Sequence, residues 1–250
     1  MQSGVNYITL ATSYAGFLAA LGGVSITVLT LVLALEREPS DPEHHSLLVA
    51  SLVVATISCF VGTHLMAETA AFTHIPPASP DPTMAARLFL VASVNIYLAV
   101  DSFLFSLMLL PDAYDKKNAA YIKRLTTVAF VTLQLGAFVW IGRSVVFHST
   151  APSGPYLFAL VAVLSLVACF LFTTDAGQTR FKEVPFLMGV LSTIASLIYF
   201  ALTFSDGSQP RNRDVVFYSL ATTLPCASLV GLGVKAVWAP RTPSASPSRG

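Results

Sequence analysis

Apolar residues fall into seven long runs along the chain, and the polar residues gather in short stretches between them. An α-helix needs about 20 predominantly apolar residues to cross the roughly 30 Å hydrocarbon core of a bilayer, so each run predicts one spanning helix. The predicted spans are 8–35, 47–72, 85–110, 123–147, 155–174, 184–204 and 215–238. The expected fold is all-α: a polytopic membrane protein whose seven-transmembrane-helix bundle occupies residues 1–239, followed by a disordered cytoplasmic tail over 240–250.

Composition agrees with that pattern. Hydrophobic residues make up 54% of the chain and charged residues 11%, against about 25% charged in an average soluble domain. The loops are too short to form separate domains. The first, Glu36 to Ser46, is acidic and carries Pro39, Pro42 and the pair His44 and His45, while the second reads HIPPASPDPT and is expected to be extended because proline fixes φ and removes donors. The third, PDAYDKKNAAYIKR, holds the strongest basic cluster and reads as a topology determinant in contact with phosphate headgroups.

Orientation follows from lysine and arginine, which resist translocation when they flank a span. Ten of the 14 lie on one side: Arg37, Lys116, Lys117, Lys123, Arg124, Arg180, Lys182, Lys235, Arg241 and Arg249. The other four are Arg87, Arg143, Arg211 and Arg213. The N-terminus is therefore expected outside and the C-terminus in the cytoplasm. The first span is longer than the apolar core of a signal peptide and no basic residue precedes it, so it is expected to remain as an anchor. Compact loops and the lack of sorting signals point to a bacterial inner (plasma) membrane.

A charge near the bilayer centre costs about 2.5–3.5 kcal/mol or more, so ionisable residues inside spans are the natural site candidates. Span three contains SVNIYLAVDSFLFSLML, which puts Asp101 about 5 Å from the midplane with Tyr97 one turn away on the same face. Asn95 lies on another face just outward of centre, and Gln134 of span four falls at nearly the depth of Asp101. These four residues form a candidate polar pathway. Asp101 has two readings, a protonated or hydrogen-bonded structural residue and a titratable stop on a transport route.

Span two contains GTHLMAETA, which sets His64 and Glu68 one turn apart on one helix face. Arg143 of span four falls at about the depth of His64, roughly 10 Å above the midplane, so His64, Glu68 and Arg143 form a candidate outer cluster if the two spans touch. His74 and His148 sit at the outer ends of the same spans. Imidazole and carboxylate on one face are ordinary zinc or iron ligands, which makes His64, Glu68, His74 and His148 a conceivable ligand set. The pattern is weak, because no second histidine follows at helical spacing and a nearby arginine repels a cation. A structural ion pair accounts for the same residues.

Other features carry less. Cys59, Cys169 and Cys226 all fall inside spans and read as small packing residues. Span seven gathers Thr222, Thr223, Pro225, Cys226 and Ser228 near its centre, where the proline is expected to free a backbone carbonyl and kink the helix. Ala15, Ala19, Gly23 and Thr27 repeat at four-residue spacing in span one, a small-residue face that admits close approach of another span, a second copy or a membrane-protein partner.

In span count and length the chain resembles the microbial rhodopsins, but their retinal lysine stands mid-way along the last helix. Here the lysine of that span is Lys235, near its cytoplasmic end, and Gly231 occupies the position one turn earlier. The seven-span zinc hydrolases of the ceramidase type need a histidine pair late in the chain, and no histidine follows His148. No cofactor is implied. With 14 basic residues against 13 acidic and no basic stripe outside the membrane, nucleic acid is not an expected partner. The polar groups at successive depths point to movement of a small ion or polar solute through the bundle. The alternatives are an intramembrane metal-dependent enzyme with an outer His/Glu site, and a sensor or assembly subunit without catalysis.

Overall fold

The computed structural model describes residues 6–34, 42–71, 82–113, 121, 124–133, 136, 139, 154–205 and 212–238, which are helical apart from short turns, with no strand among them. The helices are α1 (Tyr7–Ala34), α2 (Pro42–Ala71), α3 (Pro82–Ala113), α4 (Arg124–Leu133), α5 (Gly154–Thr173), α6 (Asp175–Arg180), α7 (Val184–Ser205) and α8 (Asn212–Trp238). Five of them, α1, α2, α3, α7 and α8, are long and apolar enough to cross a membrane, while α4 and the Ala159–Thr173 part of α5 are shorter apolar helices. The described residues form an all-helical structure whose helices have the length and apolarity of an integral membrane protein. Its tail over 240–250 and most of the basic third loop lie outside the described residues.

Local chemistry fixes several helix starts. Asn6 caps α1, its side-chain oxygen accepting from the backbone N–H groups of Ile8 and Thr9 at 3.2 and 3.1 Å. Proline opens both α2 and α3 at the first helical position, where its missing N–H has no intrahelical partner to lose. Thr174 caps the short α6 by accepting from Gly177 N–H at 3.2 Å.

The bundle is built around α3. Of its apolar window 72% is buried, against 22% for α1, because α3 packs on α1, α2, α7 and α8 together. Contacts along the helices give their directions. Glu43, Val54 and Ser58 of α2 meet Lys182 just before α7 and then Gly189 and Thr193 within it, in that order, so these two helices run parallel. Arg87 meets Asp214, and Met108 meets Gly233, so α3 and α8 also run parallel. Leu18 and Gly22 of α1 meet Gly62 and Cys59 of α2, which makes that pair antiparallel. One apolar cluster joins Leu48, Leu52, Phe105, Met108, Phe130 and Leu229, and a second joins Leu18, Leu65, Met66, Leu88 and Phe89. A third, smaller one joins Leu90, Val94 and Leu98 of α3 to Tyr218, Ala221 and Cys226 of α8.

In lipid, apolar burial does little to draw helices together, so close backbone approach matters more. Two glycines provide it. A Cβ at Gly62 would stand 2.8 Å from both Asn95 Cβ and Leu18 Cδ1, where α1, α2 and α3 converge. A Cβ at Gly231 would run into the Cys169 carbonyl, so this position lets α8 lie against α5. The outward side is left to lipid, with Phe170, Leu166 and Leu33 exposed. All three cysteines are thiols, with Cys59 and Cys226 buried.

Gly62→Val and Gly231→Val are therefore expected to destabilise the folded protein by about 1–3 kcal/mol or more through overpacking. Gly136→Ala, where an added Cβ meets nothing within 4 Å, is the matched control. Thermal unfolding in detergent checks this, and equal midpoints for all three variants would refute the close-packing account.

Candidate functional site

Polar residues of α3 divide between two faces. Ser93, Tyr97 and Asp101 recur every four residues and share one side, while Asn95, Ser102 and Ser106 lie on the other. Each face has its own partners.

The first face meets α8. Asp101 is fully buried, and the Tyr97 hydroxyl lies within electrostatic range of Asp101, Tyr14 and Cys226 and beside the hydroxyl of Tyr218. Tyr218 is itself completely enclosed, with the hydroxyls of Ser93 and Tyr97 near its own but in no well-formed hydrogen bond. On α8, Asp214, Tyr218 and Thr222 follow one another at four-residue spacing, so they line one side of that helix. The Oγ1 of Thr222 and the Oγ of Ser219 are buried with no hydrogen-bond partner. The polar row between these two parallel helices thus runs from Arg87 and Asp214, through Ser93, Tyr97 and Tyr218, to Asp101, Thr222 and Cys226.

The second face ties α3 to α2 and α7. Asn95 Nδ2 donates to Ser196 Oγ at 2.8 Å, Ser196 Oγ donates to the Thr193 carbonyl at 2.7 Å, and the hydroxyls of Thr193 and Ser58 are bonded at 2.9 Å. Buried Oδ1 of Asn95 and Oγ of Ser102 have no hydrogen-bond partner. A buried polar atom left without one costs about 1–3 kcal/mol. Such atoms concentrate here on either side of α3.

The end of the row is an ion pair. Arg87 Nε and Nη2 donate to the two carboxylate oxygens of Asp214 at 2.7 and 3.3 Å, and Tyr199 OH donates to the same carboxylate at 2.6 Å. Both charged side chains are 2% exposed. Tyr199 in turn stacks on Phe217 with ring centroids 4.3 Å apart, which holds its hydroxyl in place. Three helices are joined at this point.

No protein-family model, no curated protein and no solved structure matches the chain. The residues themselves must therefore carry the reading.

Of the residues singled out from sequence, Asp101 and Tyr97 lie together on the α8 side of α3. Asn95 lies on the opposite side, bonded to α7. His64 and Glu68 are both exposed on α2. Gln134, Arg143, His74 and His148 lie outside the described residues. Among the described residues no group of three or more His, Cys, Asp and Glu side chains could hold a metal ion. Sequence reasoning missed Arg87, Asp214, Tyr199 and Tyr218. Arg87 and Asp214 are opposite charges in the first turns of spans predicted to start on the same side, and that coincidence is the signal that could have paired them.

Breaking a buried ion pair by removing one partner leaves the other charge uncompensated, a cost of about 3–5 kcal/mol. Asp214→Ala is expected to fall in that range. The double variant Arg87→Met with Asp214→Leu is expected to recover most of the loss. Thermal melts of both variants test this, and a double variant no more stable than Asp214→Ala would show that the pair does more than hold helices together.

Proposed function

We propose that the protein is a seven-span bundle that moves or conducts a small ion or polar solute along the α3–α8 polar row, with Asp101 as its central station. The observation that carries this reading is a fully buried carboxylate in the most enclosed span, with Tyr97 beside it and buried hydroxyls on α3 and α8 that have no hydrogen-bond partner. A charge at such depth is expensive to keep unless solvation or function compensates for it. Asn95 belongs to a second polar station toward α7, and Gln134 of span four is assigned to the Asp101 side. His64, Glu68 and Arg143 form an outer vestibule.

With α7 parallel to α2 and α8 parallel to α3, an even number of crossings must separate α3 from α7, which fits none as well as the two that α4 and α5 would supply. The end of α5 meets Gly231, far along α8, which suits an α5 that enters from the other side and so favours two. The basic-residue asymmetry favours an outside N-terminus and a cytoplasmic C-terminus, and a bacterial inner membrane is the proposed location.

The test is flux in liposomes containing the full chain, read with a pH-sensitive dye and with monovalent cation gradients. Asp101→Asn is expected to remove most of the flux while leaving the melting midpoint near that of the wild-type protein, and Tyr218→Phe to reduce it. Unchanged flux in a folded Asp101→Asn protein would sink the proposed station.

A second reading, assembly with a further copy or membrane partner through α1, is favoured by one observation. Ala19, Gly23 and Thr27 are exposed, Ala15 is half-buried beside them, and a Cβ at Gly16 or Gly23 would meet nothing within 4 Å. Small residues on an open helix face let another helix approach closely. Gly23→Leu is expected to shift chemical cross-linking in membranes from dimer to monomer, and an unchanged pattern would dismiss this contact.

A further inference from the structure

Where α2 and α7 separate at the Lys182 end, they leave an open groove of about 650 Å³. That is within the range of about 300–1,000 Å³ in which proteins hold drug-sized ligands. Its walls are Ala50, Val53 and Val54 from α2 and Val184, Phe186, Leu187 and Val190 from α7, and its mouth carries Thr179, Arg180, Lys182 and Glu183. Below it the helices close up: a Cβ at Gly189 would stand 2.9 Å from Val54 Cγ1. The groove is thus apolar along two membrane-spanning helices and charged only where those helices leave the apolar region.

The charges are distributed unequally. Lys182 is engaged with Glu43 at 2.9 Å. The side chains of Arg180 and Glu183 are exposed and make no bond with any described residue. A guanidinium and a carboxylate with no bond among the described residues, at the head of an apolar trough, complement a headgroup of both signs, a phosphate next to a primary ammonium. A planar guanidinium fits phosphate, and a carboxylate accepts from the N–H groups of an ammonium.

We propose that this groove binds one phospholipid with a phosphoethanolamine headgroup, its phosphate on Arg180, its ammonium on Glu183 and the start of one acyl chain in the trough between Val53 and Leu187. Ordinary boundary lipid would cover the same apolar walls without regard to headgroup. Headgroup preference is therefore the distinguishing property. A trimethylated choline has no N–H to donate, and a glycerol headgroup has no cation to meet Glu183.

The experiment uses the full chain, delipidated in detergent, offered equal amounts of phosphatidylethanolamine, phosphatidylcholine and phosphatidylglycerol, with bound lipid read by native mass spectrometry. The expected result is one phosphatidylethanolamine per chain, retained over the other two by about tenfold, as suits hydrogen bonds to charged groups. Arg180→Gln and Glu183→Gln should each erase the preference, and Leu187→Trp, at an exposed position that only the trough uses, should erase binding. Arg124→Gln, a basic residue away from the groove, should change nothing. Equal retention of the three lipids overturns the proposal, as does a preference for phosphatidylglycerol or one that survives loss of both Arg180 and Glu183. Circular dichroism of each variant confirms that the helices remain.

Discussion

A carboxylate inside a bilayer must find its donors within the protein or carry water with it, and that constraint organises this molecule around Asp101. The lipid-facing surface offers nothing to a charge, so the helix that bears it has to be surrounded. Packing α1, α2, α7 and α8 about α3 does this, and it explains why α3 is so much more enclosed than α1. The same enclosure lets α3 carry polar residues on two sides. Asn95, Ser102 and Ser106 would be untenable facing acyl chains.

The two polar faces act differently. Toward α2 and α7 the groups are small, and a chain of hydrogen bonds runs from Asn95 through Ser196 and Thr193 to Ser58. Interhelical bonds of this kind in membranes are worth only about 0.6 kcal/mol on average, up to about 2, so the face gains more in register than in energy. Gly62 reinforces that register by allowing Asn95 to sit against the α2 backbone. Toward α8 the groups are larger, acidic or phenolic, and several polar atoms lack partners. One face fastens α3, and the other carries its buried carboxylate and its phenol.

How much of this was legible in the sequence depends on the kind of signal. Spans one, two, three, six and seven appear as helices within a few residues of their predicted limits, because length and apolarity alone define a crossing. Span five is matched by α5 over Gly154–Thr173, while the short α6 falls between predicted spans five and six, where no element is expected. Asp101 with Tyr97 was legible because helical spacing puts them on one face, and Asn95 was correctly set apart for the same reason. The partners across helices were not, since nothing in an apolar pattern says which spans touch. The outer group depends on contact between spans two and four at Arg143, which lies outside the described residues. Arg87 and Asp214 escaped notice because a charge near a span end is cheap, and only their burial makes them significant.

If the polar row conducts, some part of its lining must move, and the structure limits which part. The α3 helix is held at Asn95, which packs against Gly62 of α2 and donates to Ser196 of α7, so displacing it breaks close packing and a hydrogen bond together. On α8, Tyr218, Ala221 and Cys226 pack on Leu90, Val94 and Leu98 of α3, and the ends are fastened: Arg87 and Tyr199 hold Asp214, and Gly231 and Gly233 press against Cys169 and Met108. Between them lies Pro225, which cannot donate to the Ala221 carbonyl and so weakens the helix's internal ladder one turn on either side of Thr222. A bend at this point would shift Tyr218 and Thr222 relative to Tyr97 and Asp101 while leaving both anchors intact. Such a bend would change the width of the row at its carboxylate, at the cost of the packing that Tyr218, Ala221 and Cys226 make with α3.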